Sequence, residues 1–233
     1  MSATLSSPQR PASRKLTRRG FIKVTGLAVG AAAVACSGLG YLNSQSSGKP
    51  APVDTPEFTY GKENAMSQRV LVAYATAAGS TVAVADAIGQ ALGARGFAVD
   101  VKPINANPKL DDYQAVVVGS AVHGGRWLPE AVAFARDHQA ALRQMPVAVF
   151  CVHIMNLGTD EKSRQNRRAY LNTVRPFLSA VDEAYFAGKG MDPATASGFE
   201  RFMAGLFNIS TGDQRDWAKI NAWASAVNLL PAA

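Results

Sequence analysis

The chain has 233 residues, 48% of them apolar, 18% charged and only two Cys, which excludes a disordered, collagen-like or disulfide-stapled protein. Its net charge of +7 is confined to the start. Residues 1–50 hold Arg10, Arg14, Lys15, Arg18, Arg19, Lys23 and Lys49 and no acid, so the other 17 basic residues balance all 17 acidic ones. The body therefore has no basic excess with which to attract nucleic acid.

Residues 1–42 read as an address. A Ser/Pro/Arg-rich stretch over residues 1–15 has little to bury. Then come Thr17-Arg18-Arg19-Gly20-Phe21-Ile22-Lys23 and an uncharged, Ala/Gly-rich apolar run over residues 24–42. A charged region ahead of an apolar one is the layout of an export signal, and the TRRGFIK string resembles the twin-arginine (Tat) signal. That resemblance implies export of a protein already folded, often with its cofactor inserted. Three fates stay open for the run. It could be cleaved, it could be retained as an anchor, since roughly 20 apolar residues span a bilayer, or Cys36 could be acylated at the lipobox-like Ala33-Val34-Ala35-Cys36. The polar, Pro-containing residues 43–66 read as a flexible linker, either a tether at the membrane face or a mature N-terminus.

From residue 67 the pattern becomes regular. Residues 69–74 (RVLVAY) form a nearly continuous apolar run, as for a strand covered on both faces. Residues 81–95 place Val84, Ala85, Ile88 and Leu92 on one helical face, and Gly96 stops the helix. Strands are expected at 97–101 and at 115–119 (AVVVG). Pro129 can open a helix that runs to about residue 143. A fourth strand follows at 146–152, then a helix over 161–180 in which Pro176 marks a kink or a division. A fifth strand at 183–187 and a final helix over 213–227 complete the series. Five strands alternating with helices predict a parallel sheet covered on both faces, with ligands beyond the carboxyl ends of the strands.

The first of those carboxyl ends carries Ala75-Thr76-Ala77-Ala78-Gly79-Ser80-Thr81. Three hydroxyls, a permissive glycine and a helix N-terminus converge there, which suits an anion. No Lys or Arg is present, so the loop is not a Walker A phosphate loop, and no G-x-G-x-x-G follows the strand. The same hydroxyls could serve as ordinary helix caps. Here the chain resembles the flavodoxin family. The family's phosphate signature runs apolar, apolar, aromatic, any, Ser/Thr, two residues, small, any, Thr, three residues, Ala. Residues Val72 to Thr81, with Ala85, follow it, and only Ala73 departs, at a packing position. The resemblance implies an α/β, flavodoxin-like domain over residues 67–233, with five parallel strands in the order 2-1-3-4-5. It also implies FMN as cofactor, its phosphate held by Thr76, Ala77, Ala78, Gly79, Ser80 and Thr81.

Val118 to Trp127, Phe186 to Lys189, Arg201 to Met203 and Gly212 to Trp217 are similar to a flavodoxin subgroup that includes menaquinone-dependent protoporphyrinogen oxidases. The resemblance implies that the loops after strands three and four embrace the flavin ring. Those loops would be Ser120, Ala121, Val122, His123, Gly124 and Gly125, on to Arg126, on one side, and Val152 and His153, on to Leu157, on the other. His123 and His153 could stack on the ring, shuttle a proton or touch substrate, or be loop residues without a role. Arg126 could pair with a substrate carboxylate or be solvated. Cys151 reads as a small buried hydrophobe, and no His/Cys spacing suggests a metal site. Phe199, Phe202, Met203, Leu206 and Phe207 share one helical face, which either packs on the domain or walls in a lipophilic substrate.

The expected function is FMN-dependent electron transfer between a reduced donor, such as protoporphyrinogen IX, and a quinone or redox protein. The alternative is a membrane-tethered electron carrier with no substrate of its own.

Overall fold

A computed structural model describes residues 53–63, 68–192, 194, 196–206 and 209–230. The expected signal, its apolar run and Cys36 lie outside the described residues, as does Phe207. The chain from Val53 to Ala233 forms one unit.

Six strands make the central sheet: β1 Phe58–Tyr60, β2 Arg69–Ala75, β3 Ala98–Pro103, β4 Ala115–His123, β6 Val147–His153 and β7 Asp182–Ala187. A two-residue strand, β5 Arg126–Trp127, pairs only with β4. The order is β1-β3-β2-β4-β6-β7, with every pairing in that path parallel except β1 with β3. The five expected strands therefore stand in the expected order, and β1 is an addition at the edge. It falls within residues 43–66, which the sequence reads as linker. The sequence signal for β1 is only Phe-Thr-Tyr among polar residues, too short to register as a period.

Alternation along β2 builds the core in two halves. Val70, Val72 and Tyr74 face α1 (Ser80–Ala94) and α6 (Trp217–Ala226), and meet Val84, Ile88, Phe150 and Ile220 there. Leu71, Ala73 and Ala75 face the other way, toward Trp127, Phe134, Tyr170 and Leu171. β6 is buried at every position. Each large aliphatic side chain so buried contributes on the order of 2 kcal/mol relative to exposure. Gly119 in β4 leaves room for Phe150 of β6, whose nearest ring atom would lie 1.9 Å from a Cβ at that position.

The helices differ from expectation in two places. The helix expected over 129–143 is divided into α2 (Pro129–Asp137) and α3 (Gln139–Leu142) at His138, with φ −105° and ψ 12°. Both the His138 N–H and its Nδ1 reach the Phe134 carbonyl. The helix expected over 161–180 ends as α4 at Ala169, and successive i to i+3 turns carry the chain through Phe177. α4 buries no residue, whereas Tyr170, Leu171, Val174 and Leu178 must reach the sheet. Tighter turns bring these residues inward, and Pro176 has no N–H with which to prolong the helix.

Between β7 and α6 the chain makes an excursion that holds α5 (Gly198–Leu206). Its neck is closed by an antiparallel bridge of Lys189 with Asp213 and by hydrogen bonds between Gly190 N–H and the Gly212 carbonyl and between Gly212 N–H and the Met191 carbonyl, each 2.8 Å. Among the described residues no helix is long and apolar enough to cross a membrane.

Candidate active site at the carboxyl ends of β2, β4 and β6

The loop between β2 and α1 turns on Gly79, whose φ of 84° lies in the left-handed region. Ala77 and Ala78 are exposed at its tip. Gly79 N–H donates to Thr76 Oγ1 at 3.0 Å, so one hydroxyl shapes the loop. No side chain caps α1 and no acid stands in its first turn, which leaves the positive end of the helix open to an anion. Thr81 is fully buried, and among the described residues its Oγ1 has no hydrogen-bond partner. An orphaned hydroxyl below an uncapped helix start in a loop without Lys or Arg fits the FMN phosphate. Thr76, Gly79, Ser80 and Thr81 would hold it through hydroxyls and amides.

Two further parts close this loop. Gly188, just after β7, approaches so near that a Cβ there would lie 2.9 Å from Val152 Cγ1 and 3.4 Å from Ser80 Oγ. On the other side, Tyr74 Oη donates to the Pro56 carbonyl at 2.6 Å, and Thr55 shares a small cleft with Tyr74 and Thr76. Burial, with Asp54 and Glu57 nearby, pushes the Tyr74 hydroxyl up to about 12, so it stays a donor.

The expected ring loop at 120–126 is instead a hairpin. β4 continues through His123, and the pairs Val122 with Trp127 and His123 with Arg126 close it. Gly124 and Gly125 form the turn, with φ of 58° and 77°. Two central residues with positive φ are what a tight hairpin needs, so Gly-Gly after an alternating run was the available signal. Ser120 is buried, and its hydroxyl is committed: Oγ donates to the Ala121 carbonyl at 2.8 Å and accepts from Leu128 N–H at 3.1 Å. It anchors the approach to α2. Ala121 and Val122 are half-buried, while His123, Gly124, Gly125 and Arg126 are exposed at the tip.

Val152 and His153 lie within β6, not in a loop, and both are buried. Nδ1–H of His153 donates to the Met155 carbonyl at 2.7 Å, and its Nε2 has no partner among the described residues. Burial, with Arg167 and Lys219 nearby, lowers its pKa to about 4. The imidazole is therefore neutral at pH 7, and it fixes the segment that follows. That segment is fastened from behind by residues the sequence does not single out for the purpose. Tyr170 Oη donates to the Met155 carbonyl at 3.2 Å, and Asn156 Nδ2 donates to Tyr170 Oη at 2.6 Å. Arg167 Nη1 donates to the carbonyls of Gly158, at 2.7 Å, and Asn156. Asn156 itself takes a φ of 58°. The Ile154 carbonyl accepts from Ser210 N–H at 2.9 Å, which ties the excursion bearing α5 to the same segment. Beside it, burial pushes the Cys151 thiol up to about 12 while Trp127 Nε1 donates to its sulfur at 3.0 Å, so this cysteine is unreactive packing.

On α5 three residues of the expected apolar face stand away from the domain. Phe199, Phe202 and Leu206 are 69%, 65% and 65% exposed.

A family model described as a flavodoxin domain matches residues 71–217. The quinone-dependent protoporphyrinogen IX dehydrogenase of Leishmania major is 27% identical over 185 residues, covering 72% of this chain and 78% of that protein. Oxidised flavodoxin 1 of Bacillus cereus is 14% identical, covering 68% of this chain and 95% of that one, with a TM-score of 0.44. The two-electron-reduced flavodoxin of Megasphaera elsdenii is 21% identical, covering 50% and 84%, with a TM-score of 0.39.

Proposed function

Because the chain belongs to the flavodoxin domain family, whose model spans more than half of it, we propose that it is an FMN-dependent oxidoreductase passing electrons from a porphyrinogen to a quinone. FMN is its cofactor, and when bound it accepts hydride or single electrons at its ring. The observation that carries the reading is the phosphate loop: Gly79 in the left-handed region, an uncapped α1, and a buried Thr81 hydroxyl awaiting an acceptor or donor. The chain's own residues bind and orient. The amides of the β2–α1 loop fix the phosphate end, and the Gly124-Gly125 hairpin and the braced segment 154–158 flank the position of the ring. His153 positions that segment, its Nδ1–H engaged by the Met155 carbonyl and its pKa, lowered to about 4 by burial, too low for it to take up a second proton near pH 7. His123, exposed at the hairpin tip, is the histidine able to meet a substrate.

The substrate pair rests on the name of the Leishmania major relative. The Tat-like string and apolar run support a location at the membrane, and so does the exposed face of α5 beside the ring segment. Phe199, Phe202 and Leu206 would lie against lipid, from which a quinone arrives.

The test is to purify the chain from Val53 onward. A yellow protein with FMN absorbance, oxidising protoporphyrinogen IX anaerobically only when a quinone is added, is the expected result. Protein that stays colourless in added FMN refutes the reading. A yellow protein that exchanges electrons with redox partners but turns over no porphyrinogen is the simple carrier instead.

A further inference from the structure

Behind the ring segment, at the carboxyl end of β7 and the start of α6, lies a second cavity of about 300 Å³. His153, Thr159, Arg167, Tyr185, Asp216 and Lys219 are in its wall, and no residue of the phosphate loop is. Its charge is net positive by one, from Arg167 and Lys219 against Asp216. Asp216 is already engaged, because its Oδ1 accepts the Lys219 N–H at 3.0 Å and caps α6. Both cations keep donors in hand. Lys219 Nζ spends one hydrogen on the Tyr185 carbonyl at 3.1 Å, and Arg167 spends only Nη1 on the ring segment.

The fourth polar group is of the opposite kind. His153 is 4% exposed, and its Nδ1 carries the proton because it faces a carbonyl. Nε2 is therefore a bare lone pair, buried and unpartnered. A buried acceptor without a donor is costly, and no group among the described residues donates to this one. The site calls for a guest that is an anion toward Arg167 and Lys219 and a hydrogen-bond donor toward His153.

We infer that this cavity binds an oxyanion that carries its own O–H group, its charged oxygens on Arg167 and Lys219 and its hydroxyl donating to His153 Nε2. A singly protonated phosphate monoester and a hydroxycarboxylate share that chemistry. Sulfate and acetate do not, because each would set lone pair against lone pair at Nε2. The guest would share a wall with the ring segment, since His153 and Arg167 both hold the segment's carbonyls. Binding there braces the flavin site from behind.

Calorimetric titration of FMN-saturated protein at pH 6 tests this, with the cofactor loop already filled. Inorganic phosphate, largely H2PO4⁻ at that pH, is expected to bind at least about tenfold more tightly than sulfate, although sulfate carries more charge. Glycolate is expected to exceed acetate likewise. Which of phosphate and glycolate is preferred tells the phosphate ester from the hydroxy acid. Lys219→Gln, at an exposed position, is expected to weaken the preferred anion about tenfold while FMN absorbance is unchanged. Sulfate equal to phosphate with acetate equal to glycolate, no binding by any of the four, or an unchanged affinity in Lys219→Gln would each overturn the proposal.

Discussion

Thr81 carries a hydroxyl that nothing among the described residues answers. Leaving it so costs about 1–3 kcal/mol, which a phosphate oxygen would offset. Thr81→Val keeps the shape and removes the hydroxyl. The apoprotein should be at least as stable in urea, and FMN affinity measured by flavin fluorescence should fall roughly tenfold to a hundredfold. An unchanged affinity contradicts the assignment. His153 gives a pH signature. The unfolded imidazole takes a proton near pH 6.5 and the folded one only near 4. Acidification between those values therefore favours the unfolded chain. Stability from this group is complete above about pH 6.5 and is lost as the pH falls toward 4, on the order of 3 kcal/mol in all. Urea melts across that range should show the loss, and His153→Asn should flatten it. At this scale the candidate phosphate loop is legible because its hydroxyls and glycine are contiguous. Gly188, Arg167 and Tyr170 were not legible as parts of the site. They reach it only through folding, and no local spacing announces that.

The element with the least sequence signal does much of the closing. β1 pairs Phe58 with Val101 and Tyr60 with Val99, and Tyr60 Oη donates to Asp86 of α1. Gly89 and Gly93 make the space, for a Cβ at Gly93 would stand 2.6 Å from Tyr60 Cβ. Tyr60→Ala should cost roughly 2–4 kcal/mol by denaturant titration. It should also loosen residues 53–57, which amide hydrogen exchange would detect at the Tyr74–Pro56 contact. A loss below about 0.5 kcal/mol would show β1 to be decorative. The five core strands were legible because each is an apolar run bounded by turn residues. Strand ends and helix ends were less so. β4 outruns its purely apolar portion because Ser120 to His123 continue in alternation. The helix after Asp160 stops early because burial of Tyr170 and Leu171, a tertiary demand, overrides local propensity.

For the whole chain, charge separates the first 50 residues from the rest. Residues 1–50 hold seven basic and no acidic residues, and the rest balances at 17 against 17. The protein from Val53 onward should pass a cation exchanger at pH 7 in low salt, whereas the full chain should be retained until salt screens it. Retention of both would place a basic surface on the domain that its composition does not provide. The three residues of β1 matter at this scale as well. Without them, β3 would offer a row of unpaired N–H and C=O groups along Ala98–Pro103. Such a row is a template on which a neighbouring copy can zip itself into the sheet. Phe58–Tyr60 fills the template from within the same chain and leaves a margin too short to seed another. Copies at high local concentration would then stay separate molecules.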